Sequence, residues 1–377
     1  MTATVVPNMS ELLTNEILIG AIVTFLLFLL WLLAGPVKQA LHKAFPLKRV
    51  ANNPILAPHG LNYWETEAVF NPAAILDDDG VIHLLYRAMG SGGLSQIGHA
   101  KSTDGSKFER IYPYPVYQPT RGYGLPEDVL VPRIFDPVNY ASGGGWGGCE
   151  DPRAVLIEDR VYMTYTAFEG WNNARISLTS IALQDLKTGK WRWKRPIYLS
   201  PPMEMHKNWS LFPEKIDGRY AILHGLAPKV LVEYVTNLEI DKNIESSHNH
   251  GGGGYNEPTR KGMWDKVMKG AGPPPLKTDL GWLVLYHAVE PGSGYKIGAM
   301  ILDKDDPTKI LYRAPTPILN PEMYYENDWK PGVVYASGAV IKDGEIHVYY
   351  GGGDKYVCAA HTNLNELLGW LTEHGKV

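Results

Sequence analysis

A short phrase recurs five times along this 377-residue chain, and no other feature restricts its fold so strongly. It reads FNPAAILDDDGVIHLLYR from Phe70, EDPRAVLIEDRVYMTYTA from Glu150 and FPEKIDGRYAILHG from Phe212. It returns as PPLKTDLGWLVLYHA from Pro274 and SGAVIKDGEIHVYYGG from Ser337. Each copy has a polar or proline-marked entry, an apolar strand, an Asp/Gly turn and a second strand closing near Tyr or His. Asp-Gly reverses the chain because glycine tolerates positive φ. A repeated unit that cannot bury its own apolar face must stack on its copies. The repeat therefore predicts an all-β, five-bladed β-propeller over residues 51–377, with a pair of β-sandwiches as the poorer alternative.

Material between the copies reads as further hairpins: SQIGHAKSTDGSKF from Ser95, ARISLTSIALQDLKTGKWRW from Ala174 and YKIGAMILDKDDPTKILY from Tyr295. Residues 53–56 are expected to pair with the last unit near 357–361, and residues 363–370 resemble a short helix. SSHNHGGGGY from Ser246 reads as a loop, since its glycines follow no strand-to-helix pattern of a phosphate loop.

The N-terminus is different in kind. Residues 17–34, ILIGAIVTFLLFLLWLLA, carry no charge and only Thr24 as a polar residue. As a helix they would rise about 27 Å, close to the ~30 Å hydrocarbon thickness of a bilayer. Cations follow the run (Lys38, Lys43, Lys48, Arg49) and none precedes it, unlike a cleaved signal peptide. The expectation is a short tail over 1–16, a transmembrane helix over 17–35 contacting the lipid bilayer, and a basic linker over 36–50. The charge bias predicts a single-pass membrane protein with its catalytic domain in the cytoplasm.

Bulk charge narrows the chemistry. A net charge of −4 offers no electrostatic reason to hold nucleic acid. Cys149 and Cys358 form neither a disulfide framework nor a metal motif. His206 and His287 lack the close partner that a metal site needs, so no cofactor and no metal are expected. Aromatic residues in Gly/Pro-rich or charged surroundings (Tyr63, Trp64, Trp146, Trp171, Trp209, Trp264, Tyr324, Tyr325, Trp329) favour a sugar groove.

The repeat entries should crowd one mouth: Asn71, then Glu150, Asp151 and Arg153, then Lys207, Asn208 and Glu214, then Lys277 and His287, and lastly Asp354. Unpaired buried charges cost several kcal/mol, so such residues belong where they pair with one another and with a ligand. GGGWGGCEDPR stands out, with Trp146 as a platform for a ring and an acid pair entering a strand. A carboxyl beside other carboxylates is expected to have a raised pKa, which suits a general acid. The bland reading is a turn in which Glu150 and Asp151 pair with Arg153.

Over roughly residues 50–370 the chain resembles glycoside hydrolase family 130, the β-mannoside phosphorylases and β-mannosidases. The phrases that carry the resemblance are NPIL at Asn53, FNPAAI at Phe70, LLYRA at Leu84, GCEDPRA at Gly148 and KNWSLFPEKIDGRYAILH at Lys207. They continue with GAGPPPLKT at Gly270, GWLVLYHA at Gly281, YKIGAMILD at Tyr295 and YYGGGDKYV at Tyr349. The resemblance implies a five-bladed propeller and inversion at the anomeric carbon. It implies Asp151 as the acid, acting through a hydroxyl of the bound mannose, with Asn71, Arg87 and Asp354 holding that sugar.

The nucleophile remains open between two readings. Lys207, Asn208 and His287 match part of the family's phosphate-holding set, and Lys277 joins them on the nucleophile side. Where the phosphorylases read Leu-His-Arg, this chain reads Leu223-His224-Gly225, which removes one bidentate phosphate clamp worth roughly 1.5–3 kcal/mol. Hydrolysis of β-mannosides, β-1,2-mannosidase-like, is the main reading. It needs a base, with Glu214 the first candidate and Glu326 the second, at about 6.5–9.5 Å from the acid. Phosphorolysis to mannose 1-phosphate, with inorganic phosphate as co-substrate, is the alternative. A non-catalytic glycan-binding module is the third.

Overall fold

The computed structural model describes residues 22–26, 29, 44–126, 133–140, 142–242, 244, 260, 262–290, 292 and 294–377. The chain divides into two units, residues 1–44 and residues 45–377. In the first, residues 22–26 are helical. No helix among the described residues is long and apolar enough to cross a membrane. The expected span over 17–35, the bilayer as partner and the single-pass, cytoplasm-facing location are therefore withdrawn. Most of that segment, like the 246–255 loop, lies outside the described residues.

The second unit is built from the repeated phrases. The first copy folds as β1 (Ala68–Leu76) and β2 (Ile82–Met89), followed by β3 (Leu94–Ser102). The second gives β4 (Gly147–Ile157), β5 (Arg160–Phe168) and β6 (Ala174–Ala182). The third gives β7 (Tyr220–Gly225) and β8 (Leu231–Val235). Then come β9 (Val267–Ala271), β10 (Gly281–Glu290) and β11 (Gly294–Leu302). The last copy gives β12 (Val334–Lys342), β13 (Glu345–Gly352) and β14 (Tyr356–Asn363). Consecutive strands within each group pair antiparallel, as short Asp/Gly turns require.

The all-β five-bladed propeller is corrected to a mixed fold of several open sheets with short helices. The described strands fall into sheets of four, eight, three, five and two strands rather than five equal blades. Two local causes account for the departure. First, β3 and β4 join edge to edge in parallel, Leu94 opposite Gly147 and Ser95 opposite Gly148, which fuses two repeats into the eight-stranded sheet. Gly148 permits this, since at φ 116° a Cβ there would lie 2.2 Å from the Ser95 carbonyl oxygen. Second, the hairpin expected after Ala174 runs instead into helix α1 (Leu183–Lys187). Leu186 anchors that helix in the core.

Other expectations are met locally. Leu56 bridges Val357, and Lys48 and Arg49 pair with His361 and Ala360, tying the entry segment to the last sheet. The predicted C-terminal helix is α2 (Leu364–His374). The Asn363 side chain caps it by accepting from the Glu366 amide, and Leu367 and Leu371 bury its inner face.

The core lies between neighbouring sheets. Ala73 and Leu85 share a cluster with Ala154 and Tyr165; Val155 and Ile176 with Ile222; Leu223 with Val284. Leu285 and Ile301 then pack with Val334 and Val348, while Val340 and Tyr349 pack back on Leu84 and Tyr86. Strands such as β1 and β2 are buried on both faces, so successive residues enter different clusters, Leu84 one and Leu85 the next.

Candidate active site

Four polar residues at repeat entries hold left-handed backbone: Asn71 (φ 46°), Asp151 (φ 47°), Asn208 (φ 68°) and Asp354 (φ 53°). Asn and Asp are the non-glycine residues that tolerate this region best. Asn71 and Asp151 sit in β-bulges, where the register of β1 slips between Phe70 and Ala73 and that of β4 between Glu150 and Arg153. A bulge re-aims one side chain out of the alternation. Gly351 completes the fit at Asn71, since a Cβ there would lie 2.0 Å from Asn71 Oδ1.

These residues converge. Asn71 Nδ2 donates to Asp151 Oδ1 at 2.8 Å, and Arg87 Nη1 donates to the same oxygen at 3.0 Å. Arg87 Nη2 also reaches Glu150 Oε1 at 2.9 Å and the Ser142 carbonyl at 2.7 Å. Lys207 Nζ lies 2.9 Å from Glu150 Oε2, and Ser142 Oγ donates to that oxygen at 2.6 Å. Asn71, Arg87, Asp151, Lys207 and Asp354 all line one cavity of about 80 Å³. A second hollow of about 310 Å³, bounded by Trp329 and Pro137, shares Gly143, Lys330 and Asp354 with it. The arrangement is a small polar pocket opening into a wider, more apolar mouth.

Electrostatics reverse one expectation. Burial disfavours the charged form of Asp151, but Arg87, Lys207, the Asn71 hydrogen bond and Arg153 outweigh it and draw the carboxyl down to about 2. A raised value was expected from the neighbouring Glu150. Arg87, Arg153, Lys207 and Lys330 outnumber Glu150, Asp151 and Asp354, so the cations set the sign. The bland pairing of the acids with Arg153 is also replaced. Arg153 donates to the carbonyls of Asp151, Gly272 and Ala271 and to Asn208 Oδ1, while Arg87 takes both carboxylates.

Asn208 and His287 stand behind the pocket. Tyr335 lines it, hydrogen-bonds Asn208 Oδ1 and stacks on His287 at 3.9 Å between ring centroids. His287 is fully buried, with the Ala336 backbone beside its ring. Burial, then the Arg153 charge, push its pKa down to about 3, so the ring is neutral.

Other candidates do not join the cluster. Glu214 and Lys277 pair with each other at 2.7 Å on an exposed surface, outside the pocket lining. Trp146 is buried, and its Nε1 donates to the Gly92 carbonyl at 2.7 Å; it is not among the pocket's walls, whereas Trp171 is, with Lys207 Nζ 5.1 Å from its ring centroid. Glu326 is fully buried and saturated. It accepts from Arg49 at 2.8 and 2.9 Å, from Tyr350 Oη at 2.8 Å and from the amides of Glu322 and Met323.

Glu326 belongs to a repeated structural device. Glu65 accepts from Tyr86 and Arg110, and Asp265 from Tyr286, Arg260 and Arg313. Each acid precedes a first strand and holds the tyrosine of the second. The signal was present in the sequence as Trp64-Glu65, Trp264-Asp265 and Tyr325-Glu326. Sequence reasoning also passed over Ser142, Tyr295, Lys330 and Tyr335, which all line the pocket from outside the repeated phrases.

The glycoside hydrolase family 130 model, described as beta-1,4-mannooligosaccharide phosphorylase, matches residues 46–373. The chain belongs to glycoside hydrolase family 130. A 1,2-beta-oligomannan phosphorylase from Thermoanaerobacter sp. (strain X514) is 34% identical over 336 residues, 85% of this chain and 98% of that protein. A beta-1,2-mannobiose phosphorylase from the same organism is 34% identical over 332 residues, 84% and 97% of the two chains. The solved Listeria innocua beta-1,2-mannobiose phosphorylase, at 23% identity, superposes with a TM-score of 0.65 over 87% of this chain and 99% of its own, a likeness of fold. This family 130 chain is a mannoside-acting enzyme.

Proposed function

We propose that this family 130 enzyme is a β-mannoside phosphorylase, with β-1,2-linked mannosides as its substrates and inorganic phosphate as its co-substrate. The observation that carries the reading is the charge of the pocket. Its two lining carboxylates are already engaged, Asp151 by Arg87 and Asn71 and Asp354 by Lys330. Neither proposed base, Glu214 or Glu326, lies among its walls. An inverting hydrolase needs a carboxylate to activate water, whereas a phosphate dianion brings its own nucleophilic oxygen and needs cations. Two relatives at 34% identity that this chain spans almost completely are themselves phosphorylases of 1,2-linked mannosides, which supports the same direction.

In this reading Asn71, Arg87 and Asp354 hold the mannose, and Asp151 is the acid. With cations around it and no anion to offset them, Asp151 is ionised. A bound dianion offsets Lys207, Arg153 and Arg87, and so raises the Asp151 pKa as phosphate arrives. Protonated Asp151 passes its proton to a mannose hydroxyl, whose own proton goes to the leaving oxygen as the C1–O bond breaks. A phosphate oxygen bonds to C1 from the opposite face, giving mannose 1-phosphate. Lys207, Asn208 and His287 lie toward the phosphate.

Gly225 is the feature that favours hydrolysis instead. A Cβ at Gly225 would meet Leu231 Cδ1 at 2.9 Å, so an arginine here would also require Leu231 to shift. Incubation with β-1,2-mannobiose, with and without phosphate, decides between the two. Phosphate-dependent formation of mannose 1-phosphate is expected, and mannose release indifferent to phosphate would overturn the proposal.

A further inference from the structure

A groove of about 530 Å³ lies between β5, β6 and β7, far from the catalytic pocket. Phe168, at one end of β5, pairs with Gly148 near the catalytic acids, whereas Arg160, at the other end, pairs with Ile157 at the turn. That separation is the length of the strand, roughly 25 Å. The proposed mannoside chemistry uses none of the residues that line this groove.

The groove is built of two kinds of residue. Tyr162 and Tyr220 stand together, ring centroids 5.9 Å apart and tilted by 59°, with their hydroxyls 3.5 Å apart. Arg160, Lys194 and Arg195 supply three cations against the single carboxylate of Glu239. Lys194 and Arg195 are exposed, and Arg160 makes only a long 3.4 Å contact with Ser180 Oγ. Among the described residues no carboxylate stands within ion-pair distance of any of the three cations. This differs from the catalytic pocket, where Arg87, Lys207 and Lys330 are each paired with an acid.

We propose that the groove is a second binding site, for an anionic sugar of the sugar-phosphate class. Aromatic rings accept the C–H faces of a pyranose, tyrosine hydroxyls serve its hydroxyls, and unpaired cations take the anionic group. A neutral mannan would leave the three cations without a partner. A nucleic acid would need a long basic track, and the chain is acidic overall, at −4. The inference does not depend on which nucleophile the catalytic pocket uses.

Calorimetric titration of the full chain with mannose 1-phosphate, inorganic phosphate and mannose, at matched ionic strength, tests it. The variants are Arg160→Ala/Arg195→Glu together and Lys194→Glu alone, all at the rim of the groove. The double variant should lose one equivalent of mannose 1-phosphate, or bind it at least about tenfold more weakly. Lys194→Glu should weaken the same equivalent. Turnover of β-1,2-mannobiose and the melting temperature should stay at the wild-type level in both. Unchanged binding in both variants overturns the site. Equal affinity for mannose overturns its preference for anions, and equal affinity for inorganic phosphate overturns its recognition of the sugar. If the phosphorylase reading alone is wrong, the equivalent bound in the catalytic pocket disappears while the groove's equivalent remains, so the two failures are distinguishable.

Discussion

Asn71 and Asp151 lie 80 positions apart in the chain, yet the amide of one donates to the carboxylate of the other at 2.8 Å, each from a left-handed residue in a bulged strand. The pair links two repeats at the floor of the pocket. Its geometry holds Oδ1 of Asp151 toward Arg87 and Asn71. In the proposed mechanism a carboxylate fixed in this way acts as an acid only once an arriving anion offsets the cations around it.

Asp151→Asn is therefore expected to keep the fold and to lose at least about a hundredfold in turnover, the lower range for a positioned acid. Initial rates on β-1,2-mannobiose, together with a circular dichroism spectrum of the variant, check this. Full activity in a folded variant would remove Asp151 from the mechanism.

Glu326→Ala should behave in the opposite way. The variant strands Arg49, Tyr350 and two backbone amides around a buried gap, so a loss of roughly 3–5 kcal/mol is expected. Protein that remains folded at low temperature should keep its KM and most of its kcat. A collapse of kcat at unchanged stability would restore Glu326 as a catalytic base.

Glu214→Gln should be nearly silent. Exposed ion pairs such as Glu214–Lys277 contribute about 0–1 kcal/mol, and neither residue lines the pocket. A melting temperature within a few degrees of wild type and a kcat within about twofold are expected. A tenfold fall in rate would contradict the position assigned to this pair.

Acid should destabilise the fold before its carboxylates protonate. His99 and His287 are both held at about 3, His99 by burial and the neighbouring His83, His287 by burial and Arg153. Their folded values lie below the ordinary 6.5, so between those limits the unfolded chain binds more protons and stability falls as pH falls. Asp151, drawn down to about 2, contributes stability above its ordinary 3.8 that is lost only as pH drops toward 2. Melting temperatures should thus decline from about pH 6.5 downward, each histidine adding up to about 1.4 kcal/mol per pH unit. A flat profile between pH 7 and 5 would show that these rings are not held neutral.

Much of the candidate site was legible because its residues sit inside the repeated phrases or just beyond them. Asn71, Arg87, Glu150 and Asp151 lie within the phrases and Asp354 two residues past the last, and the structure gathers them around one cavity. Glu326 misled because an acid beside aromatics looks the same in sequence whether it faces a ligand or locks a tyrosine. Trp146 misled for a similar reason, since a glycine-rich setting does not say which way the indole turns. Lys330 and Tyr335 lie outside the repeats and carried no pattern at all.

The sequence by itself determined the strands, the turns between them and the family, because alternation and Asp/Gly punctuation act over a few residues. It did not determine how the sheets join, which depends on the close approach of Ser95 to Gly148 across a parallel edge. Only the tertiary structure decided which carboxylates line the pocket and which are spent on internal hydrogen bonds. The physical reason is that a charged group's role follows from its partners, and those of Asp151, Glu214 and Glu326 come from distant parts of the chain.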